Sequence, residues 1–292
     1  MASAKAADRD VVTGLTGARR WLVGTAGRWF PGLAARVREH RDQRARARVP
    51  MRATPWGFQF AGALPDPGDP GEQAHARVLE RIVSACDVFV DVGANVGFYT
   101  CLARARGRTV IAVEPFPLNV QSLARNAAAN GWTDIEVQPL ALAERAGTGT
   151  LYGRDTLASR VEGWAVAGDP WRQDVALSTL DTLLAGRFTG ERLGIKVDIE
   201  GGEFDLLRGA AETLDRDPAP AWSMEISFSE NHPAGANPHF AATFDQFFSR
   251  GYAAATVSSR GEEPVIAADV AHWVAAGHRG FGSINYVFRR VR

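Results

Sequence analysis

The run Phe89-Val90-Asp91-Val92-Gly93-Ala94-Asn95-Val96-Gly97 constrains this chain more than any other stretch, because an apolar strand pattern ends in D-x-G-x-x-x-G and opens into a helical pattern. Gly93 lets the backbone turn where a Cβ would clash, and Gly97 is expected to let the new helix approach a ligand closely. Open α/β sheets hold ligands beyond the carboxyl ends of their strands, where a helix N-terminus presents free amides. The neighbours such a turn needs are present. Val88 to Val92 reads as a buried strand, followed by a helix at 96–106, a strand at 109–113, a helix at 119–130 and a strand at 135–142. That β-α-β-α-β order predicts an α/β, Rossmann-like fold with a mostly parallel central sheet and helices on both faces.

On either side the punctuation is clear. LPDPGDPG, Leu64 to Gly71, holds three prolines and two glycines in eight residues and reads as a loop, between a short strand at 56–61 and a helix at 72–84. Beyond residue 142 the pattern relaxes. A short strand at 148–152 leads into a polar insertion, Gly153 to Asp174, with Trp164 and Trp171. An apolar strand at 193–199, a helix at 202–214, a strand at 222–228, a helix at 239–250 and strands near 254–257 and 284–288 complete the expected sheet.

Charge divides the chain unevenly although the net charge is zero: residues 19–52 carry ten arginines against Glu39 and Asp42. This predicts a basic, partly helical arm over 1–52 and one catalytic-sized domain over 53–292. Trp21, Leu22, Trp29, Leu33 and Val37 interleave with the arginines, so the arm is expected to be solvated or to pack on a partner, with peripheral contact to an anionic membrane as the second reading. Nucleic acid is not expected as a partner, because the remaining domain is acidic overall. No apolar run reaches the roughly 20 residues of a bilayer span. The two cysteines, Cys86 and Cys101, lack zinc-site spacing and read as core residues of a cytoplasmic protein.

The second strand ends in Val113-Glu114-Pro115, with Glu114 lying 21 residues beyond Gly93, where an acidic side chain can accept from ribose hydroxyls. Nicotinamide dinucleotide enzymes share that spacing. Their fingerprint, however, needs a second glycine where this chain has Asn95, which disfavours an NAD(P)-dependent oxidoreductase.

Three blocks in order, Asp91 to Thr100 (DVGANVGFYT), Glu114 to Asn119 (EPFPLN) with Asn126 following, and Lys196 to Gly201 (KVDIEG) with Glu203, resemble the FkbM-type methyltransferases over about residues 53–292. The resemblance implies a class I methyltransferase fold, S-adenosylmethionine as cofactor and hydroxyl groups of small molecules, sugars or secondary metabolites as acceptors. It places the cofactor at Asp91, Gly93, Asn95, Gly97 and Glu114, with Ala94, Thr100 and Pro115 in the same blocks counted with the site. In such a site the loop amides and Asn95 would meet the methionine carboxylate, and Asp91 its ammonium.

In the strand ending at Ile199, alternation puts Lys196, Asp198 and Glu200 on one face and Ile195, Val197 and Ile199 on the other. Lys196 is the one lysine after residue 52 in a chain with 31 arginines, which points to an amine needed for more than its charge. Methyl transfer to a hydroxyl requires alignment and a proton acceptor. Asp198 and Lys196 are candidates, with Glu225 at the end of a later strand and His232 in the loop after it. Asp198, Glu225 and Asn231 are also similar to the carboxylate-and-amide magnesium site of catechol-type methyltransferases; no residue is assigned as a metal ligand on that ground. A cofactor-binding protein without catalysis, acting through the basic arm, is the third reading.

Overall fold

The computed structural model describes residues 40–153, 158–164, 171–280 and 282–291. The chain forms two compact units, residues 1–50 and 51–292. Of the first, residues 40–50 are described, with 40–47 helical; the aromatic and aliphatic residues singled out in the arm lie outside the described residues. The unit boundary falls two residues before the expected one, because Arg52 and Ala53 form β1 (Arg52–Ala53), paired with β2 (Gln59–Phe60).

The second unit continues with α1 (Pro70–Ala85), β3 (Val88–Val92), α2 (Phe98–Ala105), β4 (Thr109–Val113), α3 (Pro117–Ala129) and β5 (Glu136–Gln138). Then come β6 (Ala141–Leu142), β7 (Gly147–Tyr152), β8 (Arg172–Ser178), α4 (Leu180–Leu184), β9 (Leu193–Val197), α5 (Glu203–Arg208) and α6 (Ala211–Leu214). It closes with β10 (Ala221–Glu225), α7 (Phe240–Phe248), β11 (Tyr252–Ser258), β12 (Gly261–Val265), α8 (Ala267–Ala276) and β13 (Asn285–Arg290).

Eight strands form the main sheet in the order β12-β11-β13-β10-β9-β3-β4-β5. The five from β10 to β5 are parallel, and β13 runs antiparallel between β10 and β11. Because β3 is central and covered on both faces, all five of its residues are buried, which is why it is apolar except for Asp91. One face packs on α1, whose Val78, Leu79, Ile82 and Val83 meet Phe89, Val110, Val257 and Val287. The other buries Val90, Ile195, Val197, Trp222 and Met224 against Leu206, Leu207, Phe240, Phe244 and Phe247 of α5 and α7. Asp69 caps α1 by accepting from the Gly71 and Glu72 amides, with Pro70 at its first turn.

The chain leaves β3 towards β4 on one side, and β9 later pairs with the other side of β3. This reversal is the switch point at which open α/β sheets form a ligand crevice.

Three sequence expectations change. The strand expected over 135–142 divides into β5 and β6, and β6 joins β8 and β7 in a separate three-stranded sheet. The insertion therefore ends in a regular strand, β8. The helix expected over 202–214 breaks at Gly209, where the Ala143 carbonyl passes too close for a side chain. Strand β12, the hairpin partner of β11, and helix α8 are not expected from the sequence, since their residues carry no clear period. Cys86 and Cys101 are buried and free, as expected. Among the described residues no helix is long and apolar enough to cross a membrane.

Candidate active site

At the switch point the chain leaves β3 through Gly93, in the left-handed region at φ 73°, followed by Asn95 at φ 50°. A Cβ on Gly93 would lie 1.8 Å from the Asp198 carbonyl oxygen, so the turn after β3 and the exit of β9 touch backbone to backbone. The cleft beside them is lined by Gly93, Asn95, Glu114, Pro115, Asn119, Asp198, Glu200 and Glu225, with apolar walls that include Val113, Leu140, Leu142 and Leu151.

Of the expected cofactor residues, Gly93, Asn95, Glu114 and Pro115 line this cleft. Asp91, Ala94, Gly97 and Thr100 do not; they build the turn from behind. Asp91 is 1% exposed, accepts from the Thr100 hydroxyl at 2.6 Å and lies 3.4 Å from the Lys196 ammonium, a position that does not fit an expected contact with a ligand ammonium. Ala94 packs on Ala112 and Leu123. Gly97, at φ 89°, would place a Cβ 2.8 Å from Leu123 Cγ, so its close approach is to α3 rather than to a ligand. The loop amides, expected to be free for a ligand carboxylate, are instead used within the fold: the Gly93 and Ala94 N–H groups donate to the Val113 carbonyl at 2.9 and 3.1 Å.

The Asn95 N–H donates to Glu114 Oε2 and the Phe116 N–H to Oε1, each at 2.8 Å. Burial pushes the Glu114 carboxyl upward, against the pull of the Phe116 and Asn95 amides. The Asn119 side chain is a third donor to this carboxylate, whose two oxygens offer about four lone-pair sites and so keep acceptor capacity for a ligand. An acidic group fixed in this way, flanked by apolar walls, fits a ribose and a flat base. Glu114→Ala is therefore expected to weaken S-adenosylhomocysteine binding by about 1.5 to 3 kcal/mol, the range for hydrogen bonds to a charged group. Calorimetric titration checks this, and wild-type affinity in the folded variant would remove Glu114 from the site.

The charged residues at the end of β9 do not simply alternate. β9 ends at Val197, and Glu200 turns left-handed at φ 56°, which brings it round to Asp198. Carboxylate oxygens of Asp198, Glu200 and Glu225 lie within 4.8 Å of one another. Trp164, buried in the insertion, donates its indole N–H to Glu200 Oε2 at 2.6 Å. Burial, then the charge of Asp198, pushes Glu200 up to about 7. The same two causes push Glu225 up to about 9.

These three carboxylates are oxygen donors of the type that could hold a divalent cation. The set differs from the expected one, because Asn231 is exposed in the loop after β10 and does not line the cleft. His232 is also outside the lining. Its ring edge meets Trp164 at 5.7 Å, its Nδ1 accepts from the Ala234 N–H at 3.2 Å, and partial burial lowers its basicity. Lys196 is 4% exposed; burial depresses it, but the charges of Asp198 and Asp91 more than offset that and hold it as an ammonium.

Glu200, Trp164 and Asn119 were missed as site residues, as was Arg160, which lines the cleft and pairs with Asp205. Glu200 could have been found from its block. Nothing local marked Trp164 or Arg160, which arrive from the insertion. His75 of α1 was also passed over: its Nε2 lies 3.1 Å from Ser223 Oγ, and burial pulls it down to about 4.

Burial also pushes Glu203 up to about 8. Native Glu203 and Glu225 thus hold protons that the unfolded chain releases near the ordinary carboxylate range of about 4. Their contribution to stability is complete below that range and is lost as pH rises through about 8 to 9. The melting midpoint is expected to fall between about pH 5 and 9, and Glu203→Gln to flatten the fall. A melting midpoint independent of pH in the wild-type protein would show both groups ionised in the native state.

A parallel sheet reversing at β3, a glycine turn and a buried acid at the end of the next strand define a Rossmann-like cofactor site, and the family match below makes it that of a class I S-adenosylmethionine-dependent methyltransferase. The methyltransferase FkbM domain matches residues 91–253, more than half of the chain, and the chain belongs to that family. No curated protein matches it in sequence. Similar solved structures include a ribosomal protein L11 methylase from Lactobacillus delbrueckii subsp. bulgaricus, at 14% identity, covering 78% of this chain and 84% of that one with a TM-score of 0.38. Another is an S-adenosylmethionine-dependent methyltransferase from Agrobacterium tumefaciens, at 10% identity, covering 83% and 70% with a TM-score of 0.43. A third is an rRNA methylase from Streptococcus thermophilus, at 10% identity, covering 78% and 99% with a TM-score of 0.40.

Proposed function

We propose that this methyltransferase acts on oxygen, transferring the methyl group to a hydroxyl of a small molecule, sugar or secondary metabolite. The observation that carries the reading is the meeting of Asp198, Glu200 and Glu225 beside Gly93, in the cleft that Glu114 also lines. When bound, S-adenosylmethionine supplies an electrophilic methyl group, and Gly93, Asn95, Glu114 and Pro115 are the residues that would hold it. A hydroxyl attacking that carbon must shed its proton, and a carboxylate within reach is the group that takes it.

Asp198 and Glu200 fill that role in this reading. Glu200, at about 7, is matched to a proton transfer near neutral pH. Glu225, at about 9, stays protonated there and donates a hydrogen bond to the acceptor oxygen. Lys196, held as an ammonium, does not accept the proton, and His232 stands outside the cleft. Arg160 and Trp164 bring the insertion to the acceptor side, so that segment would select the acceptor.

The experiment is a mass-spectrometric screen of hydroxylated metabolites and glycans, incubated with the protein and S-adenosylmethionine, for the gain of one methyl group on oxygen. Transfer only to nitrogen or carbon would reject the hydroxyl reading, and cofactor binding without transfer to any acceptor would favour a non-catalytic role.

A further inference from the structure

Lys196 and Lys5 are the only lysines in the chain. Everywhere else in residues 51–292 a fixed positive charge is an arginine, many of them in surface pairs such as Arg192 with Asp87 and Arg104 with Asp134. Lys196 is different in place as well as type. Its Nζ donates to the Gly93 carbonyl at 2.9 Å, lies 3.4 Å from Asp91 Oδ1 and 3.4 Å from Asp198 Oδ2, and sits 5.8 Å from the centre of the Tyr99 ring. Asp91 and Ser223 flank it in register on the neighbouring strands, and His75 reaches Ser223 from α1.

A buried charge is costly unless it is well paired, so a chain retains one where the pairing sets a geometry. Here a compact ammonium joins three segments: β3 through Asp91, the turn through Gly93, and the exit of β9 through Asp198. A planar guanidinium, with its donors in a rigid fork, does not fit three acceptors converging on one point. Gly93 and Asp198 line the cleft, whereas Lys196 does not and can reach a ligand only through them.

We propose that Lys196 is a positioning residue, an ammonium that fixes the cofactor turn and the proton-accepting end of the site in one register from beneath. This rests on reading the cleft as the S-adenosylmethionine site. The Gly93 carbonyl cannot shift without breaking its bond to Nζ, and Asp198 loses its cation if Nζ withdraws. A ligand seated against either one is therefore felt at Lys196.

The lysine count makes the test direct. Full-length protein labelled with carbon-13 at lysine Cε gives two side-chain resonances, assigned with Lys5→Arg. Saturating S-adenosylhomocysteine is expected to move the Lys196 resonance and leave that of Lys5 in place. Lys196→Met is expected to weaken S-adenosylhomocysteine binding by about tenfold or more at a temperature where the variant is folded, with Lys196→Arg only partly restoring it. A purely structural lysine would lower the melting midpoint of both variants without moving the affinity of the folded protein, and that result would overturn the proposal. So would a Lys196 resonance unmoved at saturation, which decides the matter if Lys196→Met does not fold. Failure of the wild-type protein to bind S-adenosylhomocysteine would instead overturn the reading of the cleft, and this inference with it.

Discussion

Gly93→Ala is expected to destabilise the protein by about 3 to 5 kcal/mol, at the upper end for a single substitution, and to abolish S-adenosylhomocysteine binding in whatever fraction folds. Two costs coincide at this position. Gly93 sits at φ 73°, where an L side chain is strained, and its Cβ would lie 1.8 Å from the Asp198 carbonyl oxygen, a backbone atom that cannot rotate away. Relief requires the turn and the β9 exit to separate, which breaks the Lys196 bond to the Gly93 carbonyl and displaces Asp198. Gly107 supplies the comparison, since it has φ 75° but nothing within 4 Å of its Cβ position. Gly107→Ala should cost only the conformational term, about 1 to 2 kcal/mol, and leave ligand affinity unchanged. Urea unfolding and calorimetry on the pair separate the two costs, and equal losses at both glycines would show that the contact with Asp198 contributes nothing.

Asp198→Asn is expected to reduce turnover by about 10² to 10⁴ while leaving cofactor affinity within a few-fold of wild type, the signature of a lost proton acceptor. The amide keeps the shape and removes the charge that faces Lys196 at 3.4 Å. It also leaves the Asp198 backbone in place, so the contact with the Gly93 turn is preserved and a binding defect is not expected. Glu200→Gln should remove the rise in rate with pH near 7, because Glu200 must lose its proton as pH rises before it can accept another. Single-turnover rates on the identified acceptor, measured with and without chelator, test both statements. Normal turnover in both variants would make the carboxylate cluster structural, and a rate lost to chelator and restored by magnesium would reassign the three carboxylates to a cation.

The parts of this site that could be read from sequence are those set by local rules. The strands at 88–92 and 109–113 are placed to the residue, since parallel strands covered on both faces are predominantly apolar and the first of them ends at a glycine turn. Glu114 was legible from its distance to Gly93. Alternation failed where the strand stopped: β9 ends at Val197, so Glu200 lies on a left-handed turn that no period of two describes. Asp91 and Thr100 are expected among the cofactor residues; their burial behind the turn instead depends on the register Asp91↔Lys196, a long-range pairing. Trp164 and Arg160 come from an insertion whose path is set by tertiary contacts such as the Trp164 bond to Glu200, and His75 comes from a helix that looked amphipathic and ordinary.

Transfer to oxygen is tested with S-adenosylmethionine carrying a deuterated methyl group, incubated with the full-length protein and a panel of hydroxylated acceptors matched to their amine analogues. A deuterated methyl ether is expected on at least one hydroxyl compound and none on the matched amine, with the product lost in Asp198→Asn. Transfer to the amine instead of the hydroxyl, or undiminished ether formation by Asp198→Asn, would contradict this reading.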